Sequence, residues 1–183
     1  MKLLKKVIIG CALFLLCASA LFYWYHKLFP YGDRTCCLPC MMSALRLYAA
    51  DHGDWYPKGG RTSLESLQLL YSETNDYTGE VGLLAGISGN LKETERRIKA
   101  GLQIDEQVSS WTYLPGFRDD DDDKMAIIWE RQGGICFNGS SADGHAVGFA
   151  DGHHEQIPQE HWDEFLKQQE ALRQTTLAKR KIE

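Results

Sequence analysis

Residues Val7 to Tyr25 read VIIGCALFLLCASALFYWY, a run of nineteen residues without a charged side chain near the start of a 183-residue chain. A helix of this length and composition can cross the ~30 Å hydrocarbon core of a bilayer. Lys2, Lys5 and Lys6 precede the run, and basic residues favour the cytoplasmic side of a membrane. The sequence therefore predicts an N-terminal transmembrane helix that contacts the lipid bilayer through Val7 to Tyr25 and holds the rest of the chain outside the cytoplasm.

Two other interpretations of the same run stay open. Ala18-Ser19-Ala20 has the small-residue pattern of a signal-peptidase site, so cleavage after Ala20 would release a secreted or periplasmic domain. Ile8-Ile9-Gly10-Cys11 resembles a bacterial lipobox, but few apolar residues precede Cys11 and the apolar run continues well beyond it. All three interpretations export the remainder of the chain.

The chain divides into an N-terminal anchor or signal peptide at residues 1–29 and one exported domain at residues 30–183, which is large enough for its own core. The formal net charge of −5 gives no support to nucleic acid as a partner. The acid excess is concentrated in Asp119 to Asp123, a run typical of a solvated loop. Calcium is the less favoured alternative, because the run lacks the spaced ligands and central glycine of an EF-hand loop.

The periodicity of the exported part predicts an α+β fold in which an antiparallel β-meander packs on helices. We expect helices at Pro39 to about His52, Thr62 or Ser63 to Tyr71, Leu91 to Leu102 and Gln159 to about Arg180, and strands at Trp111 to Leu114, Met125 to Glu130, Ala146 to Phe149 and His154 to Ile157. Pro30, Gly32 and Asp33 are expected to end the N-terminal helix.

The tetrapeptide Ala-Asp-Gly-His occurs at 142–145 and again at 150–153. Asp-Gly favours a type I′ hairpin turn, so we expect Asp151 and Gly152 to form a two-residue loop that pairs Phe149 with His154. In that register His145, His153 and His154 cannot share one ion, because His145 is about 17 Å along the strand and the other two point to opposite faces. We therefore expect no metal ligands among them, and no residue set indicates a catalytic centre or a cofactor.

Four cysteines of the exported part are disulfide candidates, since disulfides persist in oxidising compartments: Cys36, Cys37, Cys40 and Cys136. We expect Cys136 to bridge to one of the other three. Cys37-Leu38-Pro39-Cys40 at a helix start also fits a redox-active thiol pair, although no βαβ pattern surrounds it. All four thiolates could bind zinc, but a second C-x-x-C is absent from the sequence. The alternative function is therefore an exported thiol-disulfide or metal-binding protein that uses Cys37 and Cys40.

Two separated segments resemble one family, the bacterial type IV pilin-like proteins known as pseudopilins. Met41 to Pro57 is similar to their post-anchor helix and acidic turn, with matches at Tyr48, Ala49, Asp51, Gly53, Asp54, Tyr56 and Pro57. Ala146 to His153 resembles the C-terminal H-x9-DG element of a large pseudopilin-like group, with matches that include Phe149, Asp151, Gly152 and His153. Trp111 to Gly116 and Ala126 to Glu130 resemble two further segments of that group.

The resemblance implies a pilin-like α+β head on an N-terminal anchor. It implies a non-enzymatic, structural role in a type II secretion or pilus-like system, with other pilin-like subunits as partners and no cofactor. The sequence also departs from the family. The prepilin cleavage motif Gly-Phe-Thr-x-x-Glu is absent, Pro30 and Gly32 interrupt the long pilin helix, Ser141 stands where the H-x9-DG histidine is expected, and His154 replaces an apolar residue.

Overall fold

The computed structural model describes residues 2–29, 37–71, 76–136 and 139–180. Within these ranges the chain forms five α-helices and four strands. The helices are α1 (Lys2–Leu28), α2 (Cys37–Asp51), α3 (Ser63–Leu67), α4 (Leu91–Lys99) and α5 (Trp162–Arg180), and the strands are β1 (Trp111–Tyr113), β2 (Ala126–Glu130), β3 (His145–Phe149) and β4 (His154–Ile157). Short 3-10 helices lie at Gln68–Leu70, Val81–Ala85 and Gln159–His161. The fold therefore combines helices and strands, as an α+β class requires.

Helix α1 is the one described helix long and apolar enough to cross a membrane, over Ile8–Leu28, and none of that span is buried against the rest of the chain. A signal sequence at an N-terminus has the same properties. The predicted apolar helix is confirmed as a helix. The predicted break at Pro30, Gly32 and Asp33 lies outside the described residues.

The four strands form one sheet in the order β1-β2-β3-β4, and every neighbouring pair is antiparallel. This confirms the predicted meander. Alternate residues of β3 face opposite sides of the sheet. Val147 and Phe149 join a cluster with Trp162 of α5. A side chain at Gly148 would meet the sulfur of Met42 in α2. Helices therefore cover both faces, which explains why every residue of β2 and β3 is buried.

Helix α2 forms because its apolar residues recur at helical spacing, and Leu38, Met41, Leu45 and Ala49 are all buried in the main core. The helix ends at Asp51. Gly53 follows with φ of 63°, and the Asp54 N–H donates to the carbonyl of Ala49 at 2.9 Å. This is the Schellman arrangement, in which a glycine beyond the helix adopts a positive φ and the orphan carbonyls are satisfied.

The β3–β4 hairpin has a different register from the predicted one. Gly148, not Phe149, pairs with His154. The Gly152 N–H donates to the Phe149 carbonyl and the Phe149 N–H donates to the His153 carbonyl, both at 3.0 Å. Gly152 has φ of 93°, whereas Asp151 has no positive φ. The loop is therefore the three-residue type, a type I turn followed by a left-handed glycine, and the prediction of a two-residue type I′ loop was wrong.

Several helix boundaries also differ from the predicted ones. Helix α2 begins at Cys37, not Pro39, and the segment after Thr62 is α-helical to Leu67 and 3-10 to Leu70 instead of helical to Tyr71. Helix α4 ends at Lys99, not Leu102, because Gly101 adopts φ of 68° directly after it. The C-terminal segment begins with a 3-10 turn, and its α-helix starts at Trp162. At the start of α3, the choice between two caps is settled for Thr62, whose side chain accepts a hydrogen bond from the Glu65 N–H at 3.1 Å.

Candidate functional site

The cysteine motif lies where the sequence placed it, at the start of a helix. Helix α2 begins at Cys37, whose exposed fraction is 7%, and Cys40 is half-buried one turn later. The described sheet is antiparallel throughout, so the strand–helix–strand setting of thiol oxidoreductases is not present around it. Burial of Cys37 in the core keeps its sulfur away from a protein substrate.

No disulfide joins any two of the described cysteines. The expected bridge from Cys136 to Cys37 or to Cys40 is therefore not formed. Cys136 is half-buried in the connection between β2 and β3. Cys36 lies outside the described residues, and a bond between it and Cys136 stays a prediction. Cys11 and Cys17 are exposed on α1.

Two of the three histidines near the hairpin stack on aromatic rings on the α5 side of the sheet. The Asp143-Gly144 pair before His145 predicts that this histidine is a turn residue, but His145 is buried as the first residue of β3, so that prediction was wrong. Its ring stacks on Trp162 with centroids 3.8 Å apart, and its Nδ1 lies 3.1 Å from the Glu130 carbonyl oxygen. His153 stacks on Phe149 at 4.3 Å and contacts the carboxylate of Asp151.

His154 lies on the other side of the sheet. The observed register pairs it with Gly148, so it shares the α2 face instead of the expected face of Val147 and Phe149. Over the part of the chain that the structure describes, no three His, Cys, Asp or Glu side chains are grouped so that they could hold a metal ion.

The acidic run is less solvated than the sequence predicts. Asp122 and Asp123 are exposed. Asp120 is also exposed and lies 3.1 Å from Arg118, whereas the nearly buried Asp121 pairs with Arg180 at the end of α5. Helix α5 brings this cation to the loop from 59 residues further along the chain, which local composition cannot show.

Trp55 lies beside this loop, and its ring makes cation–π contacts with three basic side chains. The Lys58 ammonium lies 2.9 Å from the ring centroid, and the guanidinium carbons of Arg180 and Arg118 lie 4.9 and 5.6 Å from it. Desolvation, followed by repulsion from Arg180 and Arg118, lowers the pKa of Lys58. Cation–π contacts of this kind stabilise packing between chain segments, here the turn after α2, the acidic loop and the end of α5.

Glu130, the last residue of β2, is fully buried and was not singled out as a site residue. Its carboxylate accepts hydrogen bonds from the Ile87 N–H and from the Ser88 hydroxyl. Burial raises the pKa of Glu130, and the hydrogen bonds from Ile87 and Ser88 oppose that rise. A charged residue that ends an otherwise apolar strand was the signal in the sequence.

The groups around Glu130 indicate that it has a structural role, which is to hold a loop against the sheet. A Cβ on Gly86 would lie 2.1 Å from the Ser110 hydroxyl, so the loop passes too close for any side chain. An open cavity of 330 Å³ lies alongside and is lined in part by Ser88, Ser110 and Arg131. The Ser110 and Ser109 hydroxyls donate to backbone carbonyls of Ala85 and Leu84, at 3.2 and 2.7 Å. The Ser109 and Ser110 hydroxyls that donate these hydrogen bonds hold the loop and are not oriented toward a substrate.

Comparison with known proteins adds no relative. No family model matches the chain, and no curated protein or solved structure matches it either.

Proposed function

We propose that this chain is a non-enzymatic, membrane-anchored structural protein of the pseudopilin-like kind, with its head outside the cytoplasm of a bacterium. Its partners would be the bilayer and other pilin-like subunits of a secretion or pilus-like system. Secretion after cleavage following Ala20 is the competing localisation. The proposal combines the resemblance of the two sequence segments with the arrangement of an apolar helix outside a separately packed head.

The observation that carries the proposal is the exposure of α1. Side chains such as Phe14, Leu16 and Phe22 are about two-thirds exposed, and none of the Ile8–Leu28 span is buried in the chain itself. A soluble protein rarely exposes a continuous apolar surface of this size, so the helix needs lipid or other subunits around it. The head does not need α1 for its core, because its two clusters of buried side chains draw on later residues.

The head supports a structural role through the use of its polar groups. The side chains of Glu130, Ser109 and Ser110 form hydrogen bonds that hold loops in place. The Tyr56 hydroxyl donates to the Ala150 carbonyl, and the Tyr113 hydroxyl donates to the Pro57 carbonyl. Bonds from side chains to distant backbone make a rigid head. A rigid head on an apolar helix is what an assembly subunit requires.

A matched pair of substitutions tests the role of α1. Leu16→Glu places a charge in the middle of α1, and Leu47→Glu places the same charge on an exposed leucine of the head. A charge at the centre of a spanning helix costs about 3 kcal/mol. We expect L16E to move most of the protein out of the carbonate-washed membrane fraction and L47E to leave it there. Equal membrane retention of the two variants would refute the proposal.

A further inference from the structure

Among the residues that the structure describes, Ser141 connects the head to the end of α1 by two hydrogen bonds. The backbone N–H of Ser141 donates to the carbonyl of Leu28 at 2.6 Å, and its hydroxyl donates to the carbonyl of Lys27 at 2.7 Å. The last four carbonyls of an α-helix have no partner within the helix. Ser141 therefore satisfies two of them from more than a hundred residues away in the sequence. The contact fixes which part of the head lies next to α1.

The sheet has two ends, and Ser141 belongs to one of them. The anchor end is the connection from β2 to β3, residues 131–144 with 137 and 138 outside the description. The far end comprises the connection from β1 to β2, residues 114–125, and the hairpin turn at 150–153. Strand β3 runs from His145 at the anchor end to Phe149 near the far end, a distance of about 13 Å at ~3.3 Å per residue.

The position of the aromatic residues relates the anchor end to a bilayer. Phe22 to Tyr25 are aromatic and exposed, and such rings lie at the membrane–water interface. Leu28 is three residues further on, or ~4.5 Å along the helix axis at ~1.5 Å per residue. The polar layer beyond the hydrocarbon core is ~5–7 Å thick on each side. A residue bonded to Leu28 is therefore within the thickness of that layer.

We propose that the anchor end of the head lies in the lipid headgroup layer on the far side of the membrane and that Ser141 holds it there. This inference rests on the proposed function, since it requires α1 to remain in the bilayer. It adds an interaction surface and its partner, the headgroups of the same membrane.

The charge distribution is compatible with this orientation of the head. The end of α1 and the described part of the 131–144 connection carry Lys27, Arg131 and Asp143, and two further exposed acids lie at the same end of the sheet, Glu106 beside Arg131 and Glu160 after β4. The run Asp119 to Asp123 lies at the opposite end of the sheet, at least a strand length away. The orientation therefore turns the most acidic loop outward, where it is not repelled by anionic headgroups.

The test uses the full-length chain in phosphatidylcholine vesicles. A small fluorescent amino acid replaces Asp143 at the anchor end, Asp123 at the far end, which is also exposed, or Trp24 in α1. The quencher is phosphatidylcholine with a nitroxide on its headgroup. Because the label at 143 would lie in the headgroup layer, we expect its quenching to exceed that at position 123 by about threefold or more. Ser141→Pro removes both donors and is expected to abolish most of this difference.

The outcomes separate the inference from the function on which it rests. Strong quenching at position 24 with equal, weak quenching at 143 and 123 would overturn the inference and leave the membrane anchor intact. Weak quenching at position 24 would show that α1 is not in the bilayer and would overturn the proposed function itself. If S141P keeps the full difference between positions 143 and 123, Ser141 does not hold the head in place.

Discussion

Glu130 shows how one residue links three segments of the head. Its carboxylate ends β2, next to β1 in the sheet, and receives donors from Ile87 and Ser88, so it holds the loop after the second 3-10 helix against the sheet. A buried N–H without an acceptor costs about 1–3 kcal/mol. Glu130 therefore stabilises the head through the hydrogen bonds that its carboxylate accepts, although burial of its own charge is unfavourable.

We expect Glu130→Ala to lower the free energy of unfolding by about 2–3 kcal/mol, because Ile87 and Ser88 lose their acceptor. Glu130→Gln keeps the shape and one acceptor oxygen and is the matched control. We expect it to cost less than E130A at neutral pH. Denaturant unfolding of the detergent-solubilised chain measures both variants, and equal losses for E130A and E130Q would contradict the role of the carboxylate oxygen.

The pKa of Glu130 also predicts how the difference in unfolding free energy between the wild type and E130Q changes with pH. Its pKa is raised in the folded state, so the folded state binds more protons than the unfolded state between the two pKa values. The stability that Glu130 contributes is therefore complete below the unfolded pKa of about 4.3 and decreases as pH rises through the folded pKa. The free energy of unfolding of the wild type, relative to E130Q, should fall over that interval.

At the scale of elements, the β3–β4 hairpin is defined by its glycine. Gly152 has φ of 93°, a region that residues with a side chain rarely adopt. A Cβ there would also lie 2.6 Å from the end of the flexible Arg46 side chain. His153 is different, because its ring is partly exposed and stacks on Phe149 at the edge of the α5 cluster.

We expect Gly152→Val to lower the free energy of unfolding by about 2 kcal/mol, since a β-branched residue is strained at this φ. His153→Ala should cost about 1 kcal/mol or less, the value of one aromatic contact at a partly exposed site. Melting temperatures of the two variants provide the comparison. An equal decrease in both would rule out the hairpin geometry described above.

The sequence predicted the order and type of these elements but not the hairpin register. Asp151-Gly152 suits a two-residue type I′ loop, and the same glycine suits the three-residue loop that the chain adopts. The choice depends on which side chains of β4 oppose β3, and therefore on packing against α2 and α5. The same limit applies to Asp121 and His145, whose partners Arg180 and Trp162 come from the distant helix α5.

At the scale of the whole molecule, a sheet lies between α2 and α5, and α1 extends from the sheet's anchor end. The apolar helix could be predicted from composition alone, because a run of nineteen uncharged, mostly apolar residues is typical of a transmembrane helix or a signal peptide. The contact between Ser141 and the end of α1 could not, since it joins residues 113 and 114 positions apart. Long-range contacts of this kind leave no local pattern in the sequence.

The central claim is that α1 stays attached as a membrane anchor, and the intact mass of the protein from its native membrane fraction tests it most directly. Our account predicts the mass of the full chain, or of the chain without its initiator methionine. A mass that corresponds to a chain beginning at Leu21 would contradict it, because the apolar helix would then be a cleaved signal peptide and no spanning segment would remain.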